Sequence, residues 1–310
     1  MHPQYDIAGA FTHFRTSPRS IPVTAPREVS GSGARRRAIA TDHRSPPMTT
    51  SVQALRPHVL AIGALGGSGT RAVAEAFEKL GYRHGPALNR SRDCLAFTYL
   101  FVRTGWMGTP LPAPAERLAA MRAIAQTGDH RLAPPLDALT DAIVERSGPA
   151  GSAPFMIKEP NSHMFADAIL ESWPDAGFLF VHRHPLDMAF SANLNQLKRW
   201  GPDMGIAPER FDSVPAAQLE VWIRAYKAQM ERQVRYPGRT AMLDYERFVE
   251  TPSAILGEVW SALGGGADPD RLDRACQGVF VPQSRGRWRE ADLSQFTAAQ
   301  REFCADHGWL

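Results

Sequence analysis

Val59-Leu60-Ala61-Ile62-Gly63-Ala64-Leu65-Gly66-Gly67-Ser68-Gly69-Thr70-Arg71 is the stretch on which the reading of this chain turns. An apolar run broken by glycines predicts a short buried strand, a glycine-rich turn and then a helix. Such a strand–loop–helix aims backbone N–H groups and a helix N-terminus at one spot, which suits a phosphate or a sulfate. The spacing from Gly63 to Thr70 imitates the phosphate loop of nucleoside triphosphatases, with one departure. Gly69 stands where that loop carries the lysine that reaches the β- and γ-phosphates. The stretch therefore predicts an anion cradle for a phosphate-type ligand other than Mg–ATP. The bland alternative is a strand-to-helix turn with no ligand, against which stand four glycines, a serine and a threonine within eight residues.

Downstream of the loop, Val73, Ala76, Phe77 and Leu80 recur at helical spacing and Gly81 marks the stop. Further helices are predicted over 91–105, 114–127, 135–147, 164–173, 186–200, 216–234 and 252–263, the last ended by the glycines at 264–266. Buried strands are predicted at 155–157, 178–181 and 241–243. Strand, helix and strand in alternation imply an α/β fold: three layers around a mostly parallel sheet, with a P-loop-like strand–loop–helix for a phosphate or a sulfate.

At 310 residues and 34.1 kDa the chain has room for one such domain, expected over 56–310. A net charge of +3 gives no nucleic-acid footprint. Cys94, Cys276 and Cys304 lie far apart with no metal-ligand spacing, so no metal is expected and the setting reads as reducing and cytoplasmic. No apolar run approaches the ~20 residues of a membrane span. Residues 1–50 hold seven Arg, no Lys and three acidic residues, with no apolar period. Residues 1–55 are therefore read as a disordered or mis-assigned extension, with Met48 an alternative start. The Arg-rich, acid-poor composition also resembles a transit peptide.

The second chemical signal is Val181-His182-Arg183-His184-Pro185-Leu186-Asp187, with Ser191 eight residues after Arg183. A buried strand ends, Arg183 emerges at its tip, and Pro185 opens a helix. Ligands of open α/β sheets bind at such carboxyl ends, where Arg183 and Ser191 would bracket one phosphate. A structural ion pair of Arg183 with Asp187 fits the spacing equally well.

With these motifs in hand, the chain resembles the sulfotransferases that use 3′-phosphoadenosine 5′-phosphosulfate. The loop Gly66-Gly67-Ser68-Gly69-Thr70 with Arg71 is similar to the family's 5′-phosphosulfate loop, and Thr70-Arg71-Ala72 is closest to its carbohydrate-acting branch. Arg183 and Ser191 keep the spacing of its 3′-phosphate signature. Leu243-Asp244-Tyr245-Glu246 resembles a Tyr-Glu segment, which would set Tyr245 beside the nucleotide. Ser284-Arg285-Gly286-Arg287 resembles a C-terminal segment that closes over the 3′-phosphate. The resemblance spans roughly 58–288 and departs from the family in two places. Gly67 replaces a frequent loop lysine, leaving Arg71 or Lys158 to supply the charge, and Ala72 stands where many members carry an adenine-stacking Trp.

The resemblance implies in-line sulfuryl transfer, in which positioning and electrostatics do most of the work. Lys158-Glu159-Pro160 occupies the family's catalytic strand end: Lys158 would neutralise the leaving phosphate, with Glu159 as general base and His163 as second choice. The acceptor would be a small-molecule or carbohydrate hydroxyl or amine, with 84–150 contributing to its pocket through Asn89, Arg90 and Asp93; Trp106 and Phe101 would line it or belong to the core, the core being preferred for Phe101. Each residue has a plainer reading: Lys158 as a strand-end surface residue, Glu159 as its partner, His163 as a helix lead-in. Two rival functions remain open. One is a P-loop small-molecule kinase using ATP, with Asp244 at the end of an apolar strand as its magnesium residue. The other is a catalytically inactive nucleotide-binding or scaffold protein.

Overall fold

Six buried residues, Val59–Ala64, form β1 at the centre of the sheet. The computed structural model describes residues 57–104, 113–129, 145–146, 148–266 and 268–310. The expectations for 1–55, for Trp106 and for most of the helix over 135–147 fall outside them.

After β1 come helix α1 (Thr70–Lys79) and the short strands β2 (Arg83–His84) and β3 (Ala87–Leu88). Helix α2 (Leu95–Phe97) runs on as a π-helical turn over Thr98–Val102, and α3 covers Pro114–Thr127. Strand β4 (Glu145–Arg146) pairs antiparallel with β3. Strand β5 (Phe155–Lys158) is followed by a 3₁₀ turn (Pro160–Phe165), α4 (Ala166–Ser172) and β6 (Ala176–His182). Then come α5 (Pro185–Ala189), α6 (Asn195–Trp200), α7 (Val214–Arg235), β7 (Thr240–Asp244), α8 (Tyr245–Glu250), α9 (Pro252–Ala262), α10 (Pro269–Cys276) and α11 (Ala298–Asp306).

The five-stranded sheet has the order β2-β5-β1-β6-β7 and every pairing in it is parallel. Alternate residues of each strand face opposite sides, so one strand serves two cores. Val59, Ala61, Ile157, Phe178 and Phe180 pack beneath α3, α4 and α7. Leu60, Ile62, Met156, Leu179 and Val181 pack against α1, α9 and α10. The expected three layers follow directly from that alternation.

Local hydrogen bonding corrects several expected boundaries. The helix over 186–200 is broken: α5 stops at Ala189 and α6 begins at Asn195. In the gap, Ser191 Oγ accepts the Asn193 N–H at 3.2 Å and Asn193 Oδ1 accepts that of Asn195 at 3.1 Å. Gln218 caps the open carbonyls of Ala189 and Ser191 at 2.8 and 3.0 Å. Short polar side chains thus replace the helical ladder. The helix over 91–105 starts only at Leu95, because Asn89 Oδ1 accepts the N–H groups of Ser91 and Asp93, both at 2.9 Å, and holds that stretch as a turn. Residues 145–146, expected to be helical, are extended. The crossover over 164–173 is part 3₁₀ and part α, and β1 lies between the two strands it links.

Gly63 marks the tightest point of the central strand. A Cβ there would lie 2.6 Å from Phe178 Cζ and 2.8 Å from the backbone nitrogen of His163. Gly63→Ala is expected to cost about 1–3 kcal/mol through overpacking. The check is a urea titration, in which the midpoint should fall while the slope is unchanged.

Candidate functional site

β5, β1, β6 and β7 run parallel, so their carboxyl ends at Lys158, Ala64, His182 and Asp244 share one edge of the sheet. The anion loop leaves β1 at this edge. Gly67 and Gly69 take φ of 99° and 85°, a left-handed region that favours glycine. Ser68 is buried and its N–H returns to the Leu65 carbonyl at 3.2 Å. The N–H groups of Gly66, Gly67, Gly69, Thr70 and Arg71 make no backbone hydrogen bond among the described residues. No acidic residue stands in the first turn of α1, so the positive end of its dipole is uncompensated there. Donors converging on a glycine cradle, with exposed Arg71 beside them, fit an oxyanion group.

Tyr245 opens α8 and lays its ring against Gly69: a Cβ at Gly69 would meet three ring atoms at 2.1–2.5 Å. Burial raises the pKa of the Tyr245 hydroxyl, and the charges of Arg183 and Arg71 oppose that rise. Tyr245 therefore lies within the electrostatic reach of both arginines. Asp244, the magnesium residue of the kinase alternative, instead caps α8, accepting the N–H groups of Glu246 and Arg247 at 2.9 and 3.2 Å.

Arg183 is 4% exposed at the tip of β6. Its Nε donates to Glu246 Oε1 at 3.3 Å and a terminal nitrogen donates to Ser284 Oγ at 3.1 Å. The ion pair with Asp187, open on spacing alone, is present at 3.8 Å. Asp187 itself has no exposed surface and accepts the N–H groups of Gly286 and Trp288 at 2.8 and 3.3 Å. The His184 ring stacks on Trp288, and the His184 backbone N–H donates to Glu246 Oε2 at 2.9 Å. Burial raises the Glu246 pKa. Residues 284–288 are thereby strapped over the strand tip, bringing the Ser284 hydroxyl to Arg183. The Arg285 side chain pairs with Glu250, and Arg287 Nε donates to the Ser284 carbonyl at 3.2 Å.

Ser191 lies in the break between α5 and α6, where its hydroxyl holds the Asn193 N–H; Arg183 is held by other partners. That break lies along the anion loop, since a Cβ on Gly66 would sit 2.9 Å from Asn193 Nδ2 and 3.7 Å from Gln196 Nε2.

On the neighbouring strand end, Lys158 is 2% exposed, with its ammonium 2.5 Å from Asp93 and donating to the Ser91 carbonyl at 2.8 Å. Its expected surface alternative does not hold. Glu159 is 3% exposed. Its Oε1 accepts the side-chain amide of Asn161 at 2.6 Å and the Asn161 N–H at 3.2 Å, and its Oε2 accepts from Thr98 Oγ1 at 2.5 Å. Burial and the Asp93 charge raise the Glu159 pKa, while Thr98 and Asn161 pull it down. His163 is fully enclosed, with Nδ1 on the Pro160 carbonyl at 3.0 Å and a pKa lowered to about 4 by burial. Asp187, Thr98, Asn161 and Gln196 were not singled out as site residues from the sequence. Asp187 alone carried a local signal, its spacing of four residues from Arg183. Among the described residues no His, Cys, Asp and Glu cluster has the makings of a metal site, and no helix is long and apolar enough to cross a membrane.

A sequence profile described as the sulfotransferase family matches residues 26–269. No curated protein sequence matches the chain. Among solved structures, it is similar to the sulfotransferase domain of the Synechococcus PCC 7002 olefin synthase, at 13% identity over 81% of this chain and 94% of that one, with a TM-score of 0.47. A sulfotransferase of Mycobacterium tuberculosis H37Rv matches at 12% identity over 84% and 78%, with a TM-score of 0.42. A retinol dehydratase solved with androsterone and the inactive cofactor PAP matches at 15% identity over 81% of each chain, with a TM-score of 0.39.

The contact of Gly69 with Tyr245 can be tested directly. Gly69→Ala should cost more than the roughly 1 kcal/mol of a left-handed backbone alone, because the methyl also meets the ring. Adding Tyr245→Ala should recover part of the loss. A double-mutant cycle in urea measures the coupling, and simple additivity would mean that the two residues do not touch.

Proposed function

The chain belongs to the sulfotransferase family, and from that premise we propose that it transfers a sulfuryl group from 3′-phosphoadenosine 5′-phosphosulfate to a hydroxyl or amine of a small-molecule or carbohydrate acceptor. The observation that carries this reading is a pair of anion stations at the carboxyl edge of the sheet, both near Tyr245. The loop at 66–71 offers N–H donors beside the Tyr245 ring, and buried Arg183 with the Ser284 hydroxyl stands at the tip of β6, within electrostatic reach of the same tyrosine. A donor with one anionic group at its 5′ end and another at its 3′ end matches two such stations.

In this scheme the loop and Arg71 hold the 5′-phosphosulfate. Arg183 and Ser284 hold the 3′-phosphate, with Ser191, Arg285, Gly286 and Arg287 at the rim. The donor supplies the sulfuryl group; the acceptor oxygen bonds to sulfur as the bond from sulfur to the 5′-phosphate oxygen breaks. An ammonium has three N–H donors, and Lys158 uses two of them on Asp93 and Ser91. The third remains for the leaving phosphate. Glu159 takes the acceptor proton. Burial raises its pKa and makes it a stronger base than a free carboxylate, whereas burial lowers His163 to about 4 and makes it a weaker base than a free imidazole.

Two measurements test the assignments. Arg183→Ala should weaken adenosine 3′,5′-bisphosphate binding by about 2–5 kcal/mol, the usual cost of truncating one side of a buried charge pair. Binding of adenosine 5′-monophosphate should change far less in the same calorimetric titration, and equal losses would move Arg183 out of the 3′-phosphate site. Glu159→Gln should lower kcat by about 10²–10⁴ while donor affinity holds. Normal turnover in Glu159→Gln, with loss in His163→Ala, would transfer the base to His163.

A further inference from the structure

The hydrogen bonds around Glu159 determine which of its oxygens carries a proton. Asn161 Oδ1 receives two donors, the Trp200 indole N–H at 2.8 Å and Gln196 Nε2 at 3.0 Å. An indole nitrogen only donates, so the Asn161 atom facing it is the carbonyl oxygen, and the NH₂ group must face Glu159. Glu159 Oε1 thus accepts from both the side chain and the backbone of Asn161 and holds no proton. The proton position that remains is Oε2, which faces the Thr98 hydroxyl. Thr98 Oγ1 has a second partner, the Cys94 carbonyl at 3.2 Å. With Glu159 ionised, Thr98 donates to Oε2. With Glu159 protonated, Oε2–H donates to Thr98, whose own hydrogen turns to Cys94. Neither state leaves the Glu159 carboxyl or the Thr98 hydroxyl unpaired, an omission that typically costs about 1–3 kcal/mol.

We propose that Thr98 and Asn161 are positioning residues for Glu159: Asn161 confines its proton to Oε2, and Thr98 is the hydroxyl that changes from donor to acceptor as that proton comes and goes. The catalytic meaning rests on Glu159 as the base, but the titration itself does not. The charged groups bearing on the carboxyl are Asp93 ahead of α2, itself paired with Lys158 on β5, and Arg199 on α6, with the Cys94 thiol alongside. These stay in place when Thr98 is changed.

The test is infrared difference spectroscopy across a pH titration of the full chain, taking wild type minus Glu159→Gln to isolate the Glu159 carboxyl band. Thr98→Val removes a donor from the ionised form, so the midpoint should rise, by about one pH unit for a hydrogen bond to a charged group. Thr98→Ser keeps the hydroxyl and should restore the wild-type midpoint. An unmoved midpoint in Thr98→Val overturns the proposal. So does an equal shift in Val and Ser, which would assign the effect to packing of the methyl group. Should Thr98→Val fail to fold, Thr98→Ala carries the same readout. Turnover of Glu159→Gln, with 2-naphthol or water as the acceptor probe, separately tests the base. Normal turnover there sinks the base assignment and leaves the titration result standing.

Discussion

Arg183 is a guanidinium almost wholly withdrawn from water, and a charge in that position must be paired. Its partners come from three separate parts of the chain: Asp187 on α5, Glu246 on α8 and Ser284 near the C-terminus. Asp187 then uses its own oxygens to fix the backbone of Gly286 and Trp288. The Trp222 indole on α7 holds the Arg183 carbonyl at 3.1 Å and packs against Tyr226 and Trp309. Satisfying one charge at the tip of β6 therefore organises much of the C-terminal third of the protein around the edge where the loop lies.

The missing loop lysine has a physical counterpart in Tyr245. At φ 85°, with an aromatic ring packed where a Cβ would go, position 69 has no room for a side chain. The ring occupies the space a lysine stem would cross, and positive charge reaches its hydroxyl from Arg183 and Arg71 on other elements. Under the proposed function an anion here would meet backbone N–H groups and planar guanidinium groups, both directional donors suited to tetrahedral oxyanions.

The layers, the parallel sheet and the loop were legible because each has a periodic or compositional signature. β1, α1, α3 and α7 lie close to where their apolar spacing places them. Where short side chains compete with the backbone, that spacing misleads: Leu186, Ala189, Leu197 and Trp200 read as one helix, yet Ser191 and Asn193 divide it. β2, with two residues, is too short to carry any period, and α10 and α11 are short helices near the end of the chain. The site was legible where a motif is contiguous, as at Ser68–Thr70 or Arg183. Contacts such as Thr98 on Glu159, Asp187 under Gly286 and Gln196 on Asn161 join positions far apart in sequence, and nothing local announces them.

Glu159 shows how the site draws on the stability of the fold. Its carboxyl has a raised pKa because burial and Asp93 disfavour the charge, and Thr98 and Asn161 recover only part of it. A carboxyl that binds its proton more tightly when folded stabilises the protein below the unfolded value of about 4.5. That contribution is lost as pH rises through the folded pKa, and above it the ionised residue opposes folding. A glutamine of the same shape would remove the cost along with the proton acceptor. The same burial that makes ionised Glu159 unfavourable to the fold makes it a stronger base, so basicity and instability have one cause at this position.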